Sequence, residues 1–198
     1  MFRRFDKLGV RVIQPWGMTE TTPLATVCTL RPHMANWTED ECYAQRAKQG
    51  FPSPFIEVRA VNETEEVPSD GSTSGELEVR GPWVTGSYFK LDQSDRWTKD
   101  GWFRTGDVAT IDAEGYVKIT DRVKDLIKSG GEWISSVDLE NAIVAHDGVK
   151  EAAVIAVPHP KWVERPLACV VVKPGESLTK AEVMEFLGPR VAKWWLPD

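Results

Sequence analysis

A flat aromatic ring, a glycine, a hydroxyl and a carboxylate fall within five residues at Trp16-Gly17-Met18-Thr19-Glu20. An indole face can stack on a purine base, and a glycine lets backbone approach a ligand closely. Thr19 offers a hydroxyl to a phosphate, and Glu20 a hard oxygen ligand of the kind Mg²⁺ prefers. The same pentapeptide also reads as a capped loop feeding a helix. Further on, Phe103-Arg104-Thr105-Gly106-Asp107 ends in a carboxylate that can accept hydrogen bonds from two vicinal ribose hydroxyls. A turn aspartate before a strand is the plainer alternative. A third cluster, Asp121-Arg122-Val123-Lys124-Asp125, holds a permanent cation in Arg122, able to reach the ribose or phosphate side of a nucleotide. That run is also an ordinary solvated charge cluster. It leads into Lys128-Ser129-Gly130-Gly131-Glu132, where Gly130 and Gly131 either leave room for a slender ligand arm or simply make a turn.

Elements of definite type must position these residues. Residues 2–8 look like the end of a helix closed by Gly9, and Val10 to Ile13 like a strand leading into the Trp16 loop. Thr38, with Glu41 three residues later, predicts an N-cap for a helix over 38–49. Phe55 to Val61 and Glu76 to Arg80 are strand candidates, joined by an acidic, Ser/Gly-rich loop over 62–74. Strands near Val108–Ile111 and Tyr116–Ile119 flank Asp112-Ala113-Glu114-Gly115, a hairpin turn. Together these predict a small antiparallel β unit, with a distorted barrel as one form of it. Past Arg122 the pattern changes. Ser135 with Asp138 opens a helix carrying Leu139, Ala142 and Ile143 on one face, and Thr179 with Glu182 opens another carrying Val183, Phe186 and Leu187. The apolar runs Ala152–Val157 and Leu167–Val172 predict strands covered on both faces. The expected domains are therefore 1–123 and 124–198.

Composition narrows the class. A chain of 198 residues can bury one sizeable core or two smaller ones. A formal charge of −6 without a basic stripe argues against a nucleic-acid partner. Cys28, Cys42 and Cys169 are isolated, which reads as free thiols in a reducing compartment, the cytoplasm. His33, His146 and His159 lack ligand spacing, so a zinc site is not expected. No apolar run reaches the length of a membrane span.

The three motifs, in this order, resemble the second half of the adenylate-forming, AMP-binding superfamily. Its members include acyl-CoA synthetases, luciferases and peptide-synthetase adenylation domains. The resemblance covers essentially the whole chain. Gln14 to Thr21, Gly81-Pro82-Trp83 and Gly130 to Ser136 look most like medium- and long-chain fatty-acid–CoA ligases. It implies an α/β fold: the C-terminal part of a large adenylation domain, with a partial sheet and a small barrel-like β unit, followed by a small mobile α+β domain. It also implies two half-reactions. A fatty acid and ATP give acyl-adenylate and pyrophosphate, and the thiol of coenzyme A then gives the thioester and AMP. Trp16 and Gly17 would face the nucleotide, Thr19 its phosphates and Glu20 the Mg²⁺. Asp107 would hold the ribose, Arg122 would reach the ribose or phosphate side, Lys124 would be the hinge, and Gly130 and Gly131 would line the pantetheine tunnel.

Two family segments have no counterpart in this chain: the Ser/Thr/Gly-rich phosphate loop, and the Gly-Lys segment that carries the catalytic lysine. Neither Lys180 nor Lys193 stands in such a context. The resemblance thus implies a fragment, separated from the N-terminal part of its protein and inactive alone. Three alternatives remain: another adenylating enzyme such as an aryl-CoA ligase or a luciferase-like oxygenase, a non-catalytic nucleotide- or CoA-binding module, and a fold relic without a ligand.

Overall fold

A computed structural model describes residues 1–62, 65–91 and 94–198. The expected loop over 62–74 is therefore seen without residues 63 and 64. Contacts divide the chain into two compact units, Met1–Ile119 and Thr120–Asp198. That division lies slightly upstream of the expected boundary after residue 123.

In the first unit, α1 (Phe2–Asp6) ends before Gly9, whose φ of +72° suits a helix exit. β1 (Pro15–Trp16), β2 (Thr26–Val27) and β3 (Phe51–Pro52) form a small antiparallel sheet in the order β1-β2-β3. The strand expected over Val10–Ile13 does not form. Pairing begins only at Gln14, whose carbonyl accepts from the Cys28 amide, while the Val12 carbonyl accepts from the Arg46 side chain instead of a ladder partner. A two-residue β2 offers nothing further to pair with. α2 (Glu39–Arg46) carries the expected reciprocal cap: Thr38 Oγ1 accepts from the Glu41 amide, and the Glu41 carboxylate accepts from the Thr38 amide.

The second sheet has the order β4-β5-β6-β7, made of Glu57–Val61, Gly75–Arg80, Phe103–Ile111 and Val117–Arg122, with the last strand running past Ile119 into the second unit. Its edge strands are β4 and β7, and among the described residues β7 meets only Gly50 beyond β6, through an isolated bridge at Val117, so the barrel-like unit is an antiparallel sheet and not a closed barrel. Its buried face holds Ala60, Leu77, Val79, Phe103, Ala109 and Val117, with Trp16, Met18, Tyr88 and Trp97 packed against them.

The hairpin turn between β6 and β7 has a second task. Asp112 Oδ1 accepts from the amides of Glu114 and Tyr116, while Oδ2 accepts from Gln45 Nε2 and Lys48 Nζ. One carboxylate thus orders the turn and anchors the end of α2. Burial pushes its pKa up, but the Lys48 ammonium and these hydrogen bonds outweigh burial and hold it below the ordinary aspartate range. A depressed carboxylate contributes stability at pH values above its unfolded pKa, and that contribution is lost as pH falls through the folded one. Asp112→Ala is expected to cost about 2–4 kcal/mol near pH 7, with a smaller difference in acid. Urea unfolding of both proteins at neutral and acidic pH measures this, and equal loss at the two pH values would exclude the charge as its source.

In the second unit, β8 (Ile127–Ser129) and β9 (Glu132–Ile134) form a tight hairpin. α3 (Ser136–Val144) follows, capped by Ser135 Oγ accepting from the Asp138 amide. β10 (Val149–His159) and β11 (Val163–Val172) are paired along their length, and the sheet order is β10-β11-β8-β9, antiparallel throughout. α4 (Lys180–Leu187) bears the expected cap by Thr179 and Glu182. Ile127, Ile134, Leu139, Ile143, Val149, Val154 and Leu187 form the core. β10 and β11 depart from expectation, because only one face is covered. Val154, Ala156, Ala168 and Val170 point to the core, whereas Ile155, Leu167 and Val171 lie on the exposed face. An unbroken apolar run does not reveal that an antiparallel hairpin buries alternate residues only.

Candidate functional site

The five residues from Trp16 to Glu20 begin in β1 and end in a single 3-10 turn, Thr19–Thr21. The buried Thr21 builds this loop: its Oγ1 accepts from the Met18 amide, and its single proton has the Met18 and Pro23 carbonyls as acceptors, each at 3.0 Å. A Cβ on Gly17 would lie 1.8 Å from the Pro23 carbonyl oxygen. Gly17 is therefore needed by the loop itself, apart from any ligand. Gly17→Ala is expected to destabilise the first unit by about 3 kcal/mol and displace the 16–20 loop, since backbone cannot yield as a flexible side chain can. An unchanged melting temperature would count against this.

Trp16 is half-buried, and its Nε1 donates to Asp107 Oδ2 at 2.9 Å across 91 residues of sequence. This bond fixes the plane of the indole. A carboxylate has about four acceptor positions, so holding an indole N–H is compatible with receiving hydroxyl donors. Asp107 is buried and follows a break in the ladder. Glu76 faces Val108 and Glu78 faces Arg104, so Thr105, Gly106 and Asp107 all stand opposite Leu77. Such a bulge turns a side chain away from where a regular strand would aim it. Gly106, at φ +76°, takes the conformation that requires glycine. Thr105 Oγ1 donates to the Leu77 carbonyl and accepts from the Asp107 amide.

Glu20 is half-buried and accepts from the Tyr88 hydroxyl at 2.7 Å, and its carbonyl accepts from the Thr85 amide. Burial first, and then this bond to Glu20, raise the Tyr88 pKa, so Tyr88 stays a donor and orients the carboxylate. Thr19 is exposed on the same turn. Among the described residues no three His, Cys, Asp or Glu side chains gather into a metal cage. A lone oriented carboxylate still fits Mg²⁺, which is commonly bound through one or two carboxylates with substrate phosphates and water completing the shell.

The other expected site residues belong to the second unit. Arg122 is the exposed last residue of β7, and Lys124 is exposed on the turn that follows. Gly130 and Gly131 are the two-residue loop between β8 and β9, both with positive φ (+61° and +91°), as a tight hairpin demands. A Cβ on Gly130 would come within 2.9 Å of the Trp162 ring, whereas Gly131 borders open space. The pair thus has a structural reason of its own, beside an open cleft lined by Ser129, His159, Trp162, Arg165 and Trp194.

Several partners escaped the sequence reading. Tyr88, Glu76 and Arg96 carry no motif signal, because their contacts depend on where the second sheet brings them. The bulge had a signal: a glycine inside an otherwise alternating strand. Asp121 was visible in its cluster but had no assigned task, although it binds the start of α3.

Two separately built halves, one pairing an indole with a buried carboxylate and the other presenting a diglycine hairpin, define an α/β protein of two units. The chain belongs to the AMP-binding enzyme family: residues 1–89 match the AMP-binding enzyme model, and residues 138–198 match the AMP-binding enzyme C-terminal domain. It is 51% identical to a long-chain-fatty-acid–CoA ligase of Thermus thermophilus, covering all of this chain and 37% of that protein. It is 46% identical to a medium-chain-fatty-acid–CoA ligase of Ectopseudomonas oleovorans, covering all of this chain and 36% of that one. Among solved structures, ATP-bound MatB from Rhodopseudomonas palustris matches with TM-score 0.77 and 33% identity, over 96% of this chain and 36% of its own. The o-succinylbenzoate CoA synthetase of Bacillus subtilis with its acyl-adenylate matches with TM-score 0.79 and 28% identity, over 99% of this chain and 38% of its own. The chain therefore spans little more than a third of the relatives it matches.

Proposed function

We propose that this chain is part of an ATP-dependent fatty-acid–CoA ligase, with the bond from Trp16 to Asp107 as the observation that carries the nucleotide site. In the first half-reaction a carboxylate oxygen attacks the α-phosphorus of ATP, the α–β bridging P–O bond breaks, and pyrophosphate leaves. In the second, the coenzyme A sulfur attacks the acyl carbon and AMP leaves. Trp16 stacks on adenine, Asp107 accepts from the ribose hydroxyls, and Arg122 adds a cation on the ribose side. Thr19 donates to phosphate. Glu20, oriented by Tyr88, would be a ligand for Mg²⁺, which would neutralise the polyphosphate charge. Lys124 is the hinge between domains 1–123 and 124–198, and Gly130 and Gly131 flank the pantetheine arm. The long- and medium-chain relatives support a fatty acid, although a 3-methylmercaptopropionyl-CoA ligase of Ruegeria lacuscaerulensis is 48% identical and names a shorter, sulfur-bearing acid. No helix among the described residues is long and apolar enough to cross a membrane. The free thiols support a reducing compartment such as the cytoplasm.

The test is pyrophosphate release with a panel of carboxylic acids, using this chain and the protein extended by its flanking coding sequence. The expected result is acid-dependent release by the extended protein, strongest with fatty acids and followed by thioester formation when CoA is added. Nucleotide binding without release for any acid would instead favour the non-catalytic module.

A further inference from the structure

One peptide unit immediately before Asp107 is held at both edges by side chains of opposite charge. Arg96 Nη2 donates to the Thr105 carbonyl at 3.2 Å, and Glu76 Oε1 accepts from the Gly106 amide at 3.2 Å. These are the C=O and N–H of the same peptide bond, turned out of the ladder by the bulge. Arg96 arrives from a short 3-10 turn, Ser94–Arg96, and its guanidinium lies over the Phe103 ring at 5.2 Å. Its Nε is buried without a partner among the described residues. A guanidinium nitrogen left so is unfavourable, as is a carboxylate drawn into a half-buried position, where burial raises the Glu76 pKa. Both placements cost stability and converge on a single peptide. That is the pattern expected where geometry at a site outweighs stability.

We propose that Arg96 and Glu76 are positioning residues: they lock the Thr105–Gly106 peptide so that the bulge aims the Asp107 carboxylate, already tied to Trp16, at the ribose hydroxyls. This rests on the reading of Asp107 as the ribose acceptor. Neither residue touches substrate. Without the clamp the Gly106 peptide is free to rotate, and the Asp107 carboxylate moves with it. The affinity lost should include the part contributed by the ribose, with the phosphate part kept.

The experiment measures dissociation constants of ATP, 2′-deoxy-ATP, 3′-deoxy-ATP and inorganic tripolyphosphate on the extended protein and its variants. The parent is expected to prefer ATP over either deoxy analogue by about 10-fold or more, the worth of a charge-assisted hydrogen bond. Arg96→Ala and Glu76→Ala should collapse that ratio to within about 3-fold while tripolyphosphate affinity is kept, and Arg96→Lys should restore part of it. Should Arg96→Ala not fold, Arg96→Gln and Glu76→Ala carry the same expectation. A folded variant that keeps the parent's full ratio overturns the proposal. A parent without any ribose preference overturns the Asp107 reading itself, and the two failures are distinguished by which protein shows them.

Discussion

Asp107→Ala is expected to lower acid-dependent pyrophosphate release of the extended protein by about 100-fold or more, because the two charge-assisted hydrogen bonds proposed between its carboxylate and ribose would be lost together. The loss should lie in nucleotide affinity and in orientation of the α-phosphate, since a ribose no longer held lets the reacting phosphorus drift from the attacking carboxylate. A second effect adds to it. Trp16 Nε1 loses its acceptor, so the indole is freed from the plane that the bond imposes. Asp107→Asn separates these contributions, because an amide oxygen still accepts from Trp16 but carries no charge and fewer acceptor positions. The expected order is parent, then Asn, then Ala, measured as kcat/KM for ATP. An Ala variant within a few-fold of the parent would remove Asp107 from the nucleotide site.

The capped helices were legible because their signals are local. Thr38 with Glu41, Ser135 with Asp138, and Thr179 with Glu182 form their bonds within one turn, so identity and spacing suffice. The Asp112–Gly115 hairpin was legible for the same reason. The candidate residues Trp16, Glu20 and Asp107 were legible through their motifs. The bonds that arrange them were not, because they cross long stretches of chain: Tyr88 reaches Glu20 across 68 residues, and Gly106 meets Glu76 across 30. Hydrophobicity alone misjudged β10 and β11, since an apolar side chain gives no sign that its face is left open. It misjudged Val10–Ile13 as well, where strand-forming residues meet no strand to pair with. The barrel-like unit that the resemblance suggested is the sheet β4-β5-β6-β7, which does not close because β4 and β7 remain at opposite edges.

Asp121→Ala is expected to loosen the second unit by about 3 kcal/mol, the cost of leaving buried donors without a charged acceptor. Asp121 Oδ2 accepts from the Ser136 amide at 2.6 Å and the Ser136 hydroxyl at 3.1 Å, and Oδ1 accepts from the Arg122 amide at 2.6 Å. The side chain is buried at 3% exposure, so water cannot replace these bonds without opening the structure. Its charge also sits at the start of α3, where the helix dipole favours an anion. Ser135 adds a second tie by donating to the Thr120 carbonyl, so the end of β7 and the start of α3 are joined twice. Hydrogen exchange reads the consequence directly: amides of residues 136–144 should exchange about 100-fold faster in the variant, while those of β5 and β6 should be unaffected. Unchanged exchange in α3 would show that Ser135 alone suffices as a cap. The same bonds bear on the hinge. Lys124 lies in sequence between Asp121 and Ser136, so a rotation about Lys124 alone must stretch them, whereas a rotation upstream of Thr120 leaves them whole. If Lys124 is the pivot, Asp121→Ala should speed passage from the adenylation to the thioester-forming step in the extended protein, even as it weakens the fold. If the pivot lies upstream, that passage should keep the parent's rate and only stability should fall.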